Sequence, residues 1–390
     1  MSVMVEKFKE GYGVLFDRNW PLWVGAIVLA LLGAICMAAG RPWGVAGGLR
    51  VWGDWIFYSI GLYKQAPGNA LWLSNPAILT WGLLFGAFGS ALLSRQFAFR
   101  PAPPLELLKG LVGGVFMGVG SVMAGGCNVG GFYTAIAAGS VSGFAMMVGL
   151  LVGALIGLKY LMWEIEHLPS KPPKQRTAKE GGRDWKKVQP WLGLIFFVFL
   201  VGWAYGLSYR AYTQPAVLML AAVGIGVVIQ RCRFCFVRSF RDPFMTGEAV
   251  ATRAVALSVI LSVLIFFTIK WFRADWQMIY IYHHWIGGLV GGIIFGIGML
   301  LAGGCGSGSV WRAGEGQWKL IIAVLTFALS NSLFKNYVWT SKFAAAWGKP
   351  YFLPDLTGGY FWAIVITAVV MLLWWAVMAW NEETDRLTMV

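Results

Sequence analysis

The chain has 390 residues, 58% of them hydrophobic and only 12% charged, with a mean hydropathy of +0.67 and a formal charge of +14. A soluble domain carries roughly 25% charged residues, so a water-soluble globule, a disordered chain and a disulfide-stapled secreted fold are excluded. Fifty-one glycines without a three-residue period exclude collagen, and long unbroken apolar runs exclude the weak alternation of a transmembrane barrel. An all-α polytopic membrane protein remains, and its positive charge is read as topology rather than as a nucleic-acid surface.

A span needs about 20 mostly apolar residues. In chain order, uncharged runs fall at residues 19–40, 76–93, 110–158, 189–209, 211–230, 254–269, 276–311, 320–334 and 356–380. The 110–158 run is too long for one span and fits two with irregular backbone between them. The total is about ten transmembrane or partial helices plus short re-entrant ones. No cleavable signal peptide is evident before the first run, which reads as a retained anchor. One polar insert, residues 164–190, separates a first transmembrane repeat (1–163) from a second (191–390). Its lysines and prolines read as a flexible basic loop, and its charge assigns it to the cytoplasm. Threading from there puts both termini inside and predicts an inner-membrane protein.

The division into halves rests on a duplication. Residues 110–130 align with 288–308 at an offset of 178 without a gap, and twelve of 21 positions are identical. The first copy threads from cytoplasm to outside and the second from outside to cytoplasm. That is the inverted repeat of many transporters, whose substrate site lies near the midplane. Gly113, Gly118 and Gly120, with their partners Gly291, Gly296 and Gly298, read as close-packing positions. Each copy ends differently, in Ala-Gly-Gly-Cys: Gly125, Gly126 and Cys127 with Gly130 beyond, and Gly303, Gly304 and Cys305 with Gly308 beyond. Paired glycines cost about 1 kcal/mol each inside a helix, so both helices are expected to break there. Irregular backbone at membrane depth is tolerated where it is buried in protein or lines a cavity.

Five cysteines, Cys36, Cys127, Cys232, Cys235 and Cys305, form no disulfide framework. A cysteine in an apolar stretch is by default a small buried hydrophobe, yet Cys127 and Cys305 sit on the two breaks. Cys232 and Cys235 form a C-x-x-C without a thioredoxin-like context, and no histidine is close in sequence to complete a metal site. The arginines around them, Arg231 and Arg241 among them, read either as a cytoplasmic charge belt or as an electropositive entrance for an anion. No metal and no cofactor is expected.

Three stretches carry a resemblance: Gly-x-Gly-x-x-x-Ala-Gly-Gly-Cys127; Gln230-Arg-x-x-Phe-Cys235-Phe-x-x-Ser-Phe-Arg241-Asp242; and Leu301-Ala-Gly-Gly-Cys305 running into Trp311-Arg-Ala-x-Glu-Gly-Gln317. Here the sequence resembles the YeeE/YedE family of sulfur transporters. The length, the central loop and the 312–317 stretch resemble the YedE branch, which is associated with selenium metabolism, while the YeeE branch takes up thiosulfate. The resemblance implies helices that narrow the path from both faces and cysteines that contact the substrate in turn. Cys127, Cys235 and Cys305 match family positions, whereas Cys36 and Cys232 do not.

The expected function is therefore uptake of thiosulfate or a related sulfur or selenium compound, without enzymatic chemistry. A bare dianion faces a desolvation cost of tens of kcal/mol in hydrocarbon. Weak successive donors, neutral thiols and backbone amides, would ease that cost without trapping the ion. Two alternatives are a membrane thiol or sulfur-transfer enzyme and a membrane partner delivering sulfur or selenium to a cytosolic carrier protein. No nucleic-acid partner is expected.

Overall fold

The computed structural model describes residues 6–7, 10–68, 70–167, 185–281, 285–339 and 347–389. In chain order the helices are α1 (Leu22–Ala38), α2 (Ala46–Ser59), α3 (Asn75–Leu93), α4 (Pro104–Met123), α5 (Thr134–Ala137, entered through a π turn at Asn128–Tyr133), α6 (Val141–His167) and α7 (Trp185–Tyr209). Then follow α8 (Thr213–Cys232), α9 (Phe236–Met245), α10 (Val250–Phe272), α11 (Trp285–Ala302), α12 (Gly306–Gly314), α13 (Trp318–Phe334), α14 (Leu353–Thr357) and α15 (Tyr360–Thr384). There is no strand among the described residues, only two isolated bridges, Arg100 with Gln317 and Ser140 with Phe352. Among the described residues nine segments are long and apolar enough to cross a bilayer, and α1 with the turn before it makes a tenth. The protein is an all-α polytopic membrane protein.

The helix ends follow local chemistry. Pro76 and Pro104 open α3 and α4, where a missing N–H deprives no intrahelical partner. Helices α4 and α11 stop before Gly125 and Gly303, whose φ values of +76° and +77° are left-handed and open to glycine at no steric cost. Both predicted breaks are therefore present. The chain resumes as α5 after Cys127 and as α12 after Cys305. The basic insert is shorter than its composition suggests, because α6 runs to His167 and α7 starts at Trp185. Residues 168–184 lie outside the described residues.

Side-chain and backbone bonds sort the helix ends onto two faces. On one, Tyr12 Oη donates to the Leu93 carbonyl, Trp20 N to Arg231 O, Lys109 Nζ to Glu164, Lys319 Nζ to Glu106, and Met389 N to Phe244 O. On the other, Gln214 donates to Ala39 O, Ser332 to Asp54, and Leu353 N to Gly139 O. The first gathers Arg95, Arg100, Lys109, Arg231, Arg233, Arg238 and Lys319, and is called the basic face below. The chain's first and last described segments both lie there.

The two copies of the repeat pack directly on one another. A Cβ built on Gly120 would lie 2.5 Å from the Gly291 carbonyl, and one on Gly291 would lie 2.5 Å from the Gly120 carbonyl. Gly113 and Gly298 meet in the same reciprocal way, at 2.6 and 2.7 Å. As the number rises along α4 it falls along α11, so the copies cross antiparallel with backbone on backbone. Only glycine permits this approach. The rest of the packing obeys the same exchange. Helix α3 lies on α8 as α10 lies on α1, α13 on α4 as α6 on α11, and α7 on α3 as α15 on α10. Helices α7 and α15 are peripheral and expose Leu194, Ile195, Val198, Phe361, Leu372 and Leu373, an apolar surface suited to lipid and not to water.

Helices α2 and α9 were not anticipated. Each follows a full crossing and dips back from its own face, α2 from the opposite face and α9 from the basic face. Their N-termini, Val45 and Cys235, point inward and are buried, at 1% and 3% exposure. The molecule is thus narrowed from both sides at the level of the breaks.

Candidate functional site

The first turn of α12 collects the three thiols that match the family motifs. A Cβ on Gly306 would lie 2.9 Å from Cys127 Cβ and 3.2 Å from its Sγ. A Cβ on Gly308 would lie 3.1 Å from Cys305 Sγ and 3.9 Å from Cys235 Sγ. Three cysteines far apart in sequence therefore converge on two glycines of one turn. Cys305 caps that turn by accepting the Gly308 N–H at 3.3 Å and lies 3.6 Å from Ser307 Oγ. All five cysteines are free and buried.

Cys232 takes no part. A Cβ on Gly25 would meet its Sγ at 2.7 Å, so the thiol packs between α8 and α1 while Cys235 turns toward Cys305. The C-x-x-C residues diverge because Arg233 between them adopts a left-handed conformation, φ +53°. Cys36 is buried on α1. No cluster of three His, Cys, Asp or Glu suited to a metal occurs among the described residues.

The repeat relates Gly308 to Gly130 and Gly303 to Gly125. The first-half positions open on a cavity of about 320 Å³ lined by Arg41, Gly44, Arg50, Gly125, Gly126, Gly130 and Tyr280. A Cβ built on Gly44, just before α2, would lie 2.6 Å from Tyr280 Oη and 3.6 Å from Gly130 Cα, much as Cys235, just before α9, faces Gly308. The two breaks are thus of related build, one opening on this cavity and the other facing Cys235, where the first half has Val45 at the corresponding helix N-terminus.

Several site residues escaped sequence reading. Asn128 is fully buried, with its side-chain amide directed at the Cys305 thiol. At the basic face Glu315 is wholly buried and takes Arg233 at 2.8 and 3.0 Å, Gln230 at 2.9 Å and Arg100 at 3.7 Å. Two stretches that sequence reading kept separate, 230–242 and 311–317, are thus one cluster. At the other face Lys270 is fully buried and donates to the carbonyls of Ala138 (2.7 Å), Gln277 (2.8 Å) and Ile279 (3.0 Å). It ties the end of α5 to the turn that carries Tyr280.

The bonds of the two arginines proposed as an anion entrance run elsewhere. Arg231 is fully buried and donates to the Arg18 carbonyl. Arg241 is held by Asp242 at 2.7 and 2.9 Å. The guanidinium beside the thiols belongs to Arg312, with Nη2 3.9 Å from Cys235 Sγ.

An antiparallel glycine-packed repeat with broken helices and buried polar groups at its centre defines a membrane transporter of inverted-repeat build. The chain belongs to the sulphur transport family, whose model matches residues 4–156 and 231–389. It is 26% identical to the probable transporter YedE of Salmonella typhimurium over 392 residues, 95% of both chains. Against the probable transporter YedE of Escherichia coli K12 it is 26% identical over 327 residues, 80% of this chain and 79% of that one. It is also 32% identical to the thiosulfate transporter TsuA of Spirochaeta thermophila over 134 residues, 34% of this chain and 40% of the relative.

Proposed function

We propose that this protein takes up thiosulfate, or a closely related small sulfur or selenium compound, through a path on which Cys127, Cys305 and Cys235 contact the substrate in turn. One observation carries the reading: all three thiols meet at Gly306 and Gly308. The glycines of the breaks, Gly125, Gly126, Gly130, Gly303, Gly304 and Gly308, leave backbone exposed to the path. The Asn128 amide beside Cys305 adds a donor. Sulfur donors and backbone amides bind an anion weakly and repeatedly, which favours throughput over retention.

The basic face is assigned to the cytoplasm because basic residues collect there. On this reading both ends of the chain are inside, the 320 Å³ cavity with Arg41 is the outer mouth, and the membrane is taken to be the cytoplasmic one. We read the two repeats as α1 to α7 and α8 to α15, which assigns α7 to the first half and not, as expected from 191–390, to the second, and 164–190 is the segment a cytosolic sulfur carrier would meet on release. Purified protein in liposomes should accumulate radiolabelled thiosulfate, with competition by selenium analogues and little by sulfate. Accumulation of sulfate at the same rate as thiosulfate would refute selection by thiol contact.

A further inference from the structure

The two mouths are related by the repeat but are not equally open. On the outer side, the glycine break faces the cavity beside Arg41. On the basic side, the equivalent break is met by two cationic side chains: Lys319, whose Nζ would lie 3.6 Å from a Cβ on Gly303 and is already paired with Glu106, and Arg312. Its Nη1 donates to the Gly303 carbonyl at 2.9 Å, its Nη2 lies 3.9 Å from Cys235 Sγ, and its guanidinium carbon sits 5.1 Å from the centre of the Trp311 ring. The corresponding stretch of the first half, residues 131–138, carries no charge at all, and its Thr134 donates to the Trp43 carbonyl. Arg312 is therefore an addition to the second half alone.

The nearby carboxylate, Glu315, is taken by Arg233, Arg100 and Gln230, and among the described residues Arg312 meets no carboxylate. Arg233 lies against the same Trp311 ring, its guanidinium carbon 5.4 Å from the ring centre. The neighbours of Arg312 are thus a carbonyl, a thiol and an indole. A guanidinium so placed offers a planar fork of donors to an oxyanion.

We propose that Arg312 is the anion-binding gate of the cytoplasmic mouth. A small oxyanion arriving at Cys235 displaces the Gly303 carbonyl from the guanidinium, is held there by charge-assisted hydrogen bonds, and leaves as Arg312 falls back. The gate selects for negative charge at the last step, where the thiols select for sulfur. This rests on the transport reading above, and its test is independent of uptake.

The test is modification of Cys235 in the full chain in sealed vesicles. Two methanethiosulfonate reagents of equal length are compared, one ending in sulfonate and one in trimethylammonium. In each case the Cys235 sulfur loses its proton to water, attacks the sulfenyl sulfur and forms a mixed disulfide, and methanesulfinate leaves. Peptide mapping assigns the adduct, and each rate is divided by that of a free thiol in solution. From the basic face, the anionic reagent is expected to be favoured by about tenfold or more, the scale of electrostatic focusing in a charged cleft. Arg312→Lys should keep the preference and Arg312→Gln should abolish it. An unchanged preference in Arg312→Gln overturns the proposal. So does an absence of any Cys235 reaction in the native protein, since the mouth would then not lead to that thiol. If Arg312→Gln fails to fold, native protein with added thiosulfate decides: thiosulfate should slow the anionic reagent at Cys235, and no slowing counts against the gate. Discrimination of the reagents without thiosulfate uptake would sink the substrate assignment and leave the gate standing.

Discussion

Gly308→Ala separates transport from stability. The added methyl would stand 3.1 Å from Cys305 Sγ and 3.9 Å from Cys235 Sγ, and beyond its own helix backbone it meets no other atom within 4 Å. It replaces glycine within a helix. Helix propensity then favours the variant by up to about 1 kcal/mol, which offsets the tight contact with Cys305. On the proposed path, by contrast, the substrate passes where the methyl would stand. Overpacking at such a point costs about 1–3 kcal/mol, which by about 1.4 kcal/mol per decade of rate is a fall of roughly five- to 150-fold in uptake. The control is Gly202→Ala on the peripheral α7, where nothing lies within 4 Å of the new methyl. Both variants should melt within a few degrees of native protein in detergent, and only Gly308→Ala should lose uptake in liposomes. Native uptake by a folded Gly308→Ala protein would refute the placement of the path.

Three further outcomes follow from the packing. Gly120→Leu drives a side chain into the Gly291 carbonyl, 2.5 Å from the Cβ position, and should destabilise the α4–α11 crossing by at least 1–3 kcal/mol, read as a lower melting temperature. Glu315→Gln leaves Arg233 without its counter-charge. Breaking a buried ion pair costs about 3–5 kcal/mol, and the lower end is expected because Arg233 is 32% exposed. A melting temperature equal to native would contradict it. Lys270→Met removes the bonds to Ala138, Gln277 and Ile279. Hydrogen exchange should then rise at 277–281 while the basic face stays protected, and unchanged exchange there would show that Lys270 does not anchor the turn.

The spans were legible because each is an apolar run of bilayer length, and the repeat was legible because close helix packing keeps glycine at fixed spacing. The breaks at Gly125 and Gly303 followed from the cost of paired glycines. Helices α2 and α9 were not legible. They carry Arg50, Asp54, Arg238, Arg241 and Asp242, which a search for uncharged runs passes over, and their charges are satisfied locally, as in the 2.7 Å pair of Arg238 and Asp242. The meeting of Cys235 with the other two thiols was equally hidden from spacing, since Cys235 lies outside the aligned copies and was singled out only by the family resemblance. The Arg233–Glu315 pair joins segments about 80 residues apart, and the role of Arg312 appears only when its two neighbours, the Gly303 carbonyl and the Cys235 thiol, are seen together.

The central claim is that three thiols, and not five, carry the substrate. Serine keeps the size and a donor but loses the sulfur, so single Cys→Ser variants at each position, reconstituted at equal density and assayed for thiosulfate uptake, test it directly. Cys127→Ser, Cys235→Ser and Cys305→Ser should each lose most of the uptake, while Cys36→Ser and Cys232→Ser retain it. Native uptake by the Cys127→Ser and Cys305→Ser proteins, or loss confined to Cys232→Ser, would contradict the account.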